Sequence, residues 1–220
     1  MVIVQCKQLI KIYPGAHDFR ALDEVSLSIQ KGEFVSIMGP SGCGKSTLLN
    51  MLGLLDEPTG GEYLLDGAPT ALLNDARRTE LRRSHIGFIF QSFNLMPRLS
   101  VLENIALPMR YSNVPRADIL PRARELAARV GLEKKLHSTP LQLSGGQCQR
   151  VACARSLANN PSIILADEPT GNLDSKASTD ILDLLQELNK NGMTLIMVTH
   201  DPKIAAGTHR TIYMKDGKIV

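Results

Sequence analysis

The segment Gly39-Pro40-Ser41-Gly42-Cys43-Gly44-Lys45-Ser46 constrains this chain more than any other stretch. It has the form G-x-x-x-x-G-K-[ST]. Its glycines let the backbone curl until successive N–H groups point at phosphate oxygens. Lys45 is then placed to reach the β- and γ-phosphates of a nucleotide, and the Ser46 hydroxyl to ligate Mg²⁺. Residues 33–38 form a short apolar strand running in, and residues 47–52 a helical start running out. That is the strand–loop–helix setting in which such a loop binds phosphate. The expected nucleotide contacts are Gly39, Ser41, Gly42, Cys43, Gly44, Lys45, Ser46 and Thr47.

A second motif, Leu143-Ser144-Gly145-Gly146-Gln147, reads as a helix start. Ser144 is a favoured N-cap, the two glycines expose the first N–H groups, and small or apolar residues continue to about residue 158. A helix N-terminus of this kind attracts anions. Further on, Ser162-Ile163-Ile164-Leu165-Ala166-Asp167-Glu168 is an apolar run between two prolines that ends in two carboxylates. It suits a strand buried on both faces of a parallel sheet, with its acids where open α/β sheets bind ligands.

The alternation of strands with helices predicts an α/β fold with a mainly parallel sheet. Before the phosphate loop, residues 2–4 and the alternating residues 21–29 read as strands, and residues 62–67 as a hairpin-like arm. Residues 92–145 change character. Pro97, Pro108, Pro115 and Pro121 punctuate short segments there, and residues 116–130 show helical spacing through Ile119, Leu120, Ala123, Leu126 and Val130. From residue 146 the strand–helix alternation returns, and a last hairpin lies near Asp216-Gly217. The expected organisation is a single domain over residues 1–220. Its core is residues 1–91 and 146–220, with a mostly helical subdomain inserted at 92–145. Little room is expected for a regulatory C-terminal domain.

The Leu143–Gln147 motif followed by Cys148-Gln149-Arg150 resembles the signature sequence of the ABC-type ATPases, and the resemblance covers essentially the whole chain. It implies a P-loop NTPase fold of the ABC-ATPase type, with an antiparallel β arm and an inserted helical subdomain. It further implies that Asp167 holds Mg²⁺ through water and that Glu168 polarises the attacking water. Gln91 matches the glutamine that contacts Mg²⁺ and water and senses the membrane partner. His200 matches the histidine that contacts the γ-phosphate, and Asn172-Leu173-Asp174 the loop linking two nucleotide sites. Tyr13 fits the aromatic that stacks on adenine, although a tyrosine before Pro14-Gly15 also suits a plain turn.

Below the superfamily level, Tyr13-Pro14-Gly15, the stretch from Gly53 to Gly61, the stretch from Gly87 to Leu95 and the stretch from Leu165 to Asp174 look like the lipoprotein-releasing and macrolide-export group. Members of that group act beside a separate permease. Cys148 departs from the group's usual Gln or Glu, and Cys153 from a common aliphatic. The resemblance implies a dimer, in which Ser144, Gly145, Gly146, Gln147 and Asp174 of one chain complete the ATP site of the other. Cofactors are ATP and Mg²⁺, and partners are a second ATPase subunit and an integral membrane permease. The alternative is a soluble ABC ATPase associated with ribosomes or DNA. It is disfavoured because the chain has room for one ATPase half and shows no long heptad run.

Whole-chain quantities narrow the classes. A formal charge of +3 over 220 residues gives no stripe for nucleic acid. The densest basic cluster, Arg77, Arg78, Arg82 and Arg83, reads as a solvated helix face. No apolar run reaches the length of a membrane span, which leads to the expectation of a cytoplasmic protein held peripherally at the membrane by its permease. Cys6, Cys43, Cys148 and Cys153 lack metal spacing and read as reduced thiols. Cys43, inside the phosphate loop, is expected to be shielded from thiol reagents by nucleotide.

Overall fold

The chain begins with two twelve-residue strands, β1 (Val2–Tyr13) and β2 (Phe19–Gln30), paired antiparallel. They come from a computed structural model that describes residues 1–220 apart from Ala16 and Leu72. Both strands are longer than the sequence pattern suggests. In β1 the buried positions run Val4, Cys6 and then Leu9, Lys11, an odd step across Gln8. Gln8 and Glu24 take left-handed φ values of 49° and 56°, and the pairing register slips between Cys6 and Leu9. A bulge turns the strand over, so one strand reads in sequence as two fragments.

β3 (Phe34–Met38) leads into the phosphate loop and α1 (Lys45–Leu52). β4 (Gly60–Leu65) and β5 (Ala68–Pro69) then join the first sheet, in the order β2-β1-β4-β5. α2 (Asp75–His85) is capped by Asn74, whose side chain accepts from the Arg77 N–H, and leads to β6 (Ile86–Phe90). α3 (Val101–Arg110) opens with a capping box, Ser100 with Glu103, and α4 (Arg116–Arg129) follows. Two 3₁₀ turns, Glu133–Lys135 and Pro140–Gln142, carry the chain to α5 (Gly145–Ser156). The remaining elements are β7 (Ile163–Asp167), α6 (Ser175–Lys190), β8 (Thr194–Val198), α7 (Pro202–Ala205), β9 (Arg210–Lys215) and β10 (Lys218–Ile219).

The second sheet has the order β10-β9-β3-β8-β7-β6, with all neighbours parallel except the β10–β9 hairpin. Every residue of β3 and β8 is buried, as expected for central parallel strands covered on both faces. Successive side chains of β7 divide between two cores. Ile164 and Ala166 face one containing Ile105, Leu126, Val151 and Leu184 from the helices. Ile163 and Leu165 face the other, with Leu48 and Leu52 of α1 and Leu9, Val25 and Tyr63 of the arm. α1 is thus packed between the parallel sheet and the arm, which fixes the loop that precedes it.

Three local expectations change. Pro108 and Pro121 lie inside α3 and α4 rather than ending segments. An internal proline costs about 3 kcal/mol, and these helices set against it the burial of Ile105, Met109, Ile119 and Leu126. Leu120 falls off the buried stripe of α4 and is exposed. The arginine-rich face of α2 is not freely solvated. Arg78 bonds the Glu57 carboxylate and the Leu73 carbonyl, Arg82 the Leu54 carbonyl, and Arg83 the Tyr111 carbonyl.

Candidate nucleotide site

In-register pairing across the second sheet places Phe90, Asp167, Val198 and Ile37 side by side. The residues that leave those four strands therefore emerge along one carboxyl edge: Gln91 after β6, Glu168 after β7, Thr199 and His200 after β8, and the phosphate loop after β3. These groups are spread along the chain from Gly39 to His200, and the register of four parallel strands brings them together.

In the loop, the side chain of Lys45 is drawn inward and only 9% of the residue is exposed. Its Nζ donates to the carbonyls of Gly39 and Pro40, both at 2.8 Å. Gly44 has φ 101°, and a Cβ there would stand 2.4 Å from the Ala21 carbonyl oxygen, so only glycine fits. A Cβ on Gly39 would meet the Met214 carbonyl oxygen at 2.1 Å. No side chain caps α1, so its first N–H groups point into the loop as donors for an anion. Ser41, Gly42 and Ser46 are exposed, Gly44 and Thr47 half-buried. Cys43 is buried, its Sγ 3.9 Å from Lys45 Nζ beneath the loop. Its thiol faces the core, so nucleotide is not what shields it.

Glu168 takes a left-handed φ of 44°, and its N–H donates to the Val198 carbonyl at 3.0 Å. This turn swings the carboxylate off the strand, where Oε2 lies 2.8 Å from His200 Nδ1. Burial pushes the neighbouring Asp167 carboxyl above the ordinary aspartate range. The Glu168 charge adds to that rise, and the Lys45 ammonium opposes it. The Gln91 amide donates to Asn172 Oδ1 at 3.3 Å, and Asn172 returns a bond to the Gln91 carbonyl at 3.1 Å. Gly171 lies under both groups: a Cβ there would be 2.7 Å from Gln91 Nε2 and 3.3 Å from Glu168 Oε2.

Ser144 caps α5 by accepting from the Gln147 N–H at 3.3 Å, and Gln147 Oε1 accepts from the Ser144 N–H at 3.1 Å. Gly145 packs against Leu173, and Gly146 against Ala177, where a Cβ would come within 3.0 Å. Asp174 caps α6 through the Ala177 N–H at 2.9 Å. Ser144, Gly146, Gln147 and Asp174 thus line one cleft of about 440 Å³ with Arg150 and Asp180, and no residue of the phosphate loop lines it. Tyr13, at the end of β1, is 36% exposed, and its hydroxyl donates to Asp56 Oδ2 at 2.9 Å.

Several residues of this neighbourhood were not singled out by sequence reasoning. Gln149 on α5 is fully buried, and its amide donates to the Pro169 carbonyl at 2.7 Å and the Phe90 carbonyl at 3.4 Å. The available signal was a polar residue on an otherwise apolar helix face. Lys11 and Asp56 gave no such signal, because each is an ordinary charged residue until the fold brings them together.

A phosphate loop, an acidic strand end and a Ser-Gly-Gly helix start on this scaffold define an ATP-binding, ATP-hydrolysing cassette. Residues 22–171 match the family model described as ABC transporter, and the chain belongs to that family. It is 48% identical over 206 residues to the uncharacterized ABC transporter ATP-binding protein YvrO of Bacillus subtilis, covering 94% of this chain and 90% of that protein. It is also 48% identical over 219 residues to the macrolide export ATP-binding/permease protein MacB of Hyphomonas neptunium, covering 99% of this chain but 34% of MacB. Among solved structures, the ATP-binding cassette MJ0796, a dimer in a post-hydrolysis state bound to ADP and Pi, superposes with a TM-score of 0.90. The identity is 48%, over 99% of this chain and 96% of that one.

Proposed function

We propose that this chain is the ATPase subunit of an export-type transporter, working as a head-to-tail dimer beside a separate membrane permease. The observation that carries the dimer is the separation of the signature cleft from the phosphate loop. Donors at Ser144, Gly145 and Gly146, completed by Gln147 and Asp174, serve a bound γ-phosphate only if a second chain presents them. In this reading residues 1–220 act as one ATPase domain, with the core at 1–91 and 146–220 and the helical part at 92–145. The permease is supported by MacB, in which the matched region is about a third of an ATP-binding/permease protein. Among the described residues no helix is long and apolar enough to cross a membrane. A peripheral position at the inner face of the membrane would therefore come from the partner.

The geometry supports the following roles. Lys45 and the N–H groups of residues 39 and 41–47 hold the β- and γ-phosphates, while Tyr13 stacks on the base. Ser46, Gln91 and Asp167 offer a hydroxyl, an amide oxygen and one carboxylate, a hard oxygen set that suits Mg²⁺ bound together with substrate phosphates. Mg²⁺ bound there would neutralise charge on the phosphate oxygens. Glu168 accepts a proton from the attacking water as oxygen bonds to the γ-phosphorus and the bond to the leaving ADP breaks. His200 holds the Glu168 carboxylate through Nδ1, and its Nε2 remains for a γ-phosphate oxygen. Loss of the γ-phosphate removes what the two chains share, so hydrolysis resets a two-state dimer.

Mixing two inactive variants tests the dimer. A Lys45→Met chain and a Ser144→Arg chain fail separately, yet their head-to-tail heterodimer contains one intact site. Recovered ATPase activity on mixing is expected; none would overturn the arrangement. Pull-down of tagged Glu168→Gln protein from solubilised membranes with ATP and Mg²⁺ should bring down a permease. Recovery of ribosomes, or of no membrane protein, would overturn the transporter reading.

A further inference from the structure

The Tyr13 side chain is held from two sides by Lys11 and Asp56, to which no role has been given above. Lys11 is buried at the arm, with Nζ 2.6 Å from Asp56 Oδ1, 2.8 Å from the Glu57 carbonyl and 4.8 Å from the centre of the Tyr13 ring. Asp56 takes Lys11 and the Glu57 N–H (2.7 Å) on one oxygen and the Tyr13 hydroxyl on the other. Both oxygens are committed, so the carboxylate cannot rotate without breaking a bond. Asp56 stands in the segment leaving α1, the same helix whose start forms the phosphate loop. One short rigid element thus spans from the phosphate cradle to the tyrosine clamp.

From this geometry we infer that Asp56 and Lys11 are positioning residues for the base of the nucleoside triphosphate. Asp56 fixes the tilt of the Tyr13 ring, and Lys11 covers one ring face so that a base stacks only on the other. The inference rests on the proposed stacking role of Tyr13. An ammonium over an aromatic face is a favourable pair in its own right, so the ring is ordered before nucleotide arrives and less freedom is lost on binding. The protonation states agree with the clamp. Burial pushes the Asp56 carboxyl up, but Lys11, the Glu57 N–H and the Tyr13 hydroxyl outweigh it and hold it below the ordinary aspartate range. Burial, then Asp56, raises the Tyr13 phenol, which therefore stays a donor.

The experiment compares ATP with inorganic tripolyphosphate, which has the phosphates and no base, in equilibrium competition against a fluorescent nucleotide. Removing the ring with Tyr13→Ala should weaken ATP about tenfold and leave tripolyphosphate unchanged, in line with the usual strength of base–aromatic stacking. Asp56→Asn, Lys11→Met and Tyr13→Phe should each weaken ATP about threefold, again without touching tripolyphosphate, because preorganisation alone is lost. KM for ATP should rise with kcat unchanged, and Asp56→Asn should add nothing in a Tyr13→Ala background. If Tyr13→Ala leaves the ATP-to-tripolyphosphate ratio unaltered, the stacking reading itself fails. If Tyr13→Ala lowers the ratio but Asp56→Asn and Tyr13→Phe do not, only the present inference fails. Equal weakening of both ligands by Asp56→Asn would assign it to loop stability and overturn the positioning role. Tyr13→Phe, which keeps the ring packing, decides the matter should Asp56→Asn not fold.

Discussion

Replacing Gly171 by alanine adds one methyl group between the two side chains proposed to manage the attacking water. Its Cβ would stand 2.7 Å from Gln91 Nε2 and 3.3 Å from Glu168 Oε2. Contact at about 3.5 Å is comfortable, so the Gln91 amide has to retreat by about 0.8 Å. The blocking atom is the end of a flexible side chain, and the residue-171 N–H keeps its 3.0 Å bond to the Glu168 carbonyl. The backbone therefore tolerates the change, and the displacement falls on Gln91 and its 3.3 Å bond to Asn172. A lost hydrogen bond of this kind is worth about 1 kcal/mol, and misplacing a catalytic group by about 1 Å costs up to ~100-fold in rate. The expected result is a kcat lower by about 10- to 100-fold, or roughly 1.4–2.7 kcal/mol in barrier. ATP affinity should stay within about threefold and Tm within about 4 °C, because the phosphate loop and both cores are untouched. Phosphate release at saturating ATP and Mg²⁺, an independent ATP titration and a thermal melt measure the three quantities. A kcat within twofold of the parent would refute the claim that Gln91 and Glu168 work in a fixed relation across Gly171.

Glu168→Gln keeps the shape of the side chain and removes the proposed proton acceptor, so turnover should fall by about 10²- to 10⁴-fold while ATP binding persists. Light scattering should then find an ATP-bound dimer, and normal hydrolysis would strip Glu168 of its role. Cys43, buried under the loop, should react with a thiol reagent equally slowly with and without ATP; strong protection by ATP would contradict its inward placement. Burial pushes the Cys6 and Cys153 thiols up to about 12 from 9.0. Because the folded state holds these protons more tightly, their contribution is fully present below pH 9 and is lost as pH rises towards 12. Between about pH 8 and pH 10.5 the parent should lose about 2 kcal/mol more stability than Cys153→Ala in denaturant titrations, and parallel losses would refute the buried-thiol assignment.

The main sheet was legible because central parallel strands leave a plain signature. Residues 33–38, 162–168 and 194–199 are continuous apolar runs, and they became β3, β7 and β8 within a residue or two. The arm was less legible, because the left-handed turns at Gln8 and Glu24 shift the alternation by one and no local residue type announces them. The loops were placed well where glycine is demanded by geometry, as at Gly39 and Gly44. Side-chain direction was another matter. That Cys43 points into the core follows from the packing of α1 between two sheets, which the eight-residue motif does not contain. The arginines of α2 were misread for a related reason. Their acceptors, the carbonyls of Leu54, Leu73 and Tyr111 and the carboxylate of Glu57, are backbone and side-chain oxygens from three separate loops.

The buried glutamine on α5 shows how the parts bear on one another. α5 carries the signature glycines at its start, and Gln149 sits one turn in, with no exposure. Its amide holds the Pro169 carbonyl, one residue past Glu168, and reaches the Phe90 carbonyl, one residue before Gln91. A buried carbonyl left without a donor costs about 1–3 kcal/mol, so the signature helix and the two strand ends resist separation. Gly145 stands beside Leu173 and Gly146 beside Ala177, so close that a Cβ on either would come within 3.4 and 3.0 Å of them. A partner that pressed on Ser144–Gly146 would therefore load residues 168–174 directly, through a path of hydrogen bonds and close contacts a few residues long. In the proposed dimer, Glu168 and the surface at Ser144 would consequently be coupled by packing within one chain, even though the phosphates they would address sit at different sites.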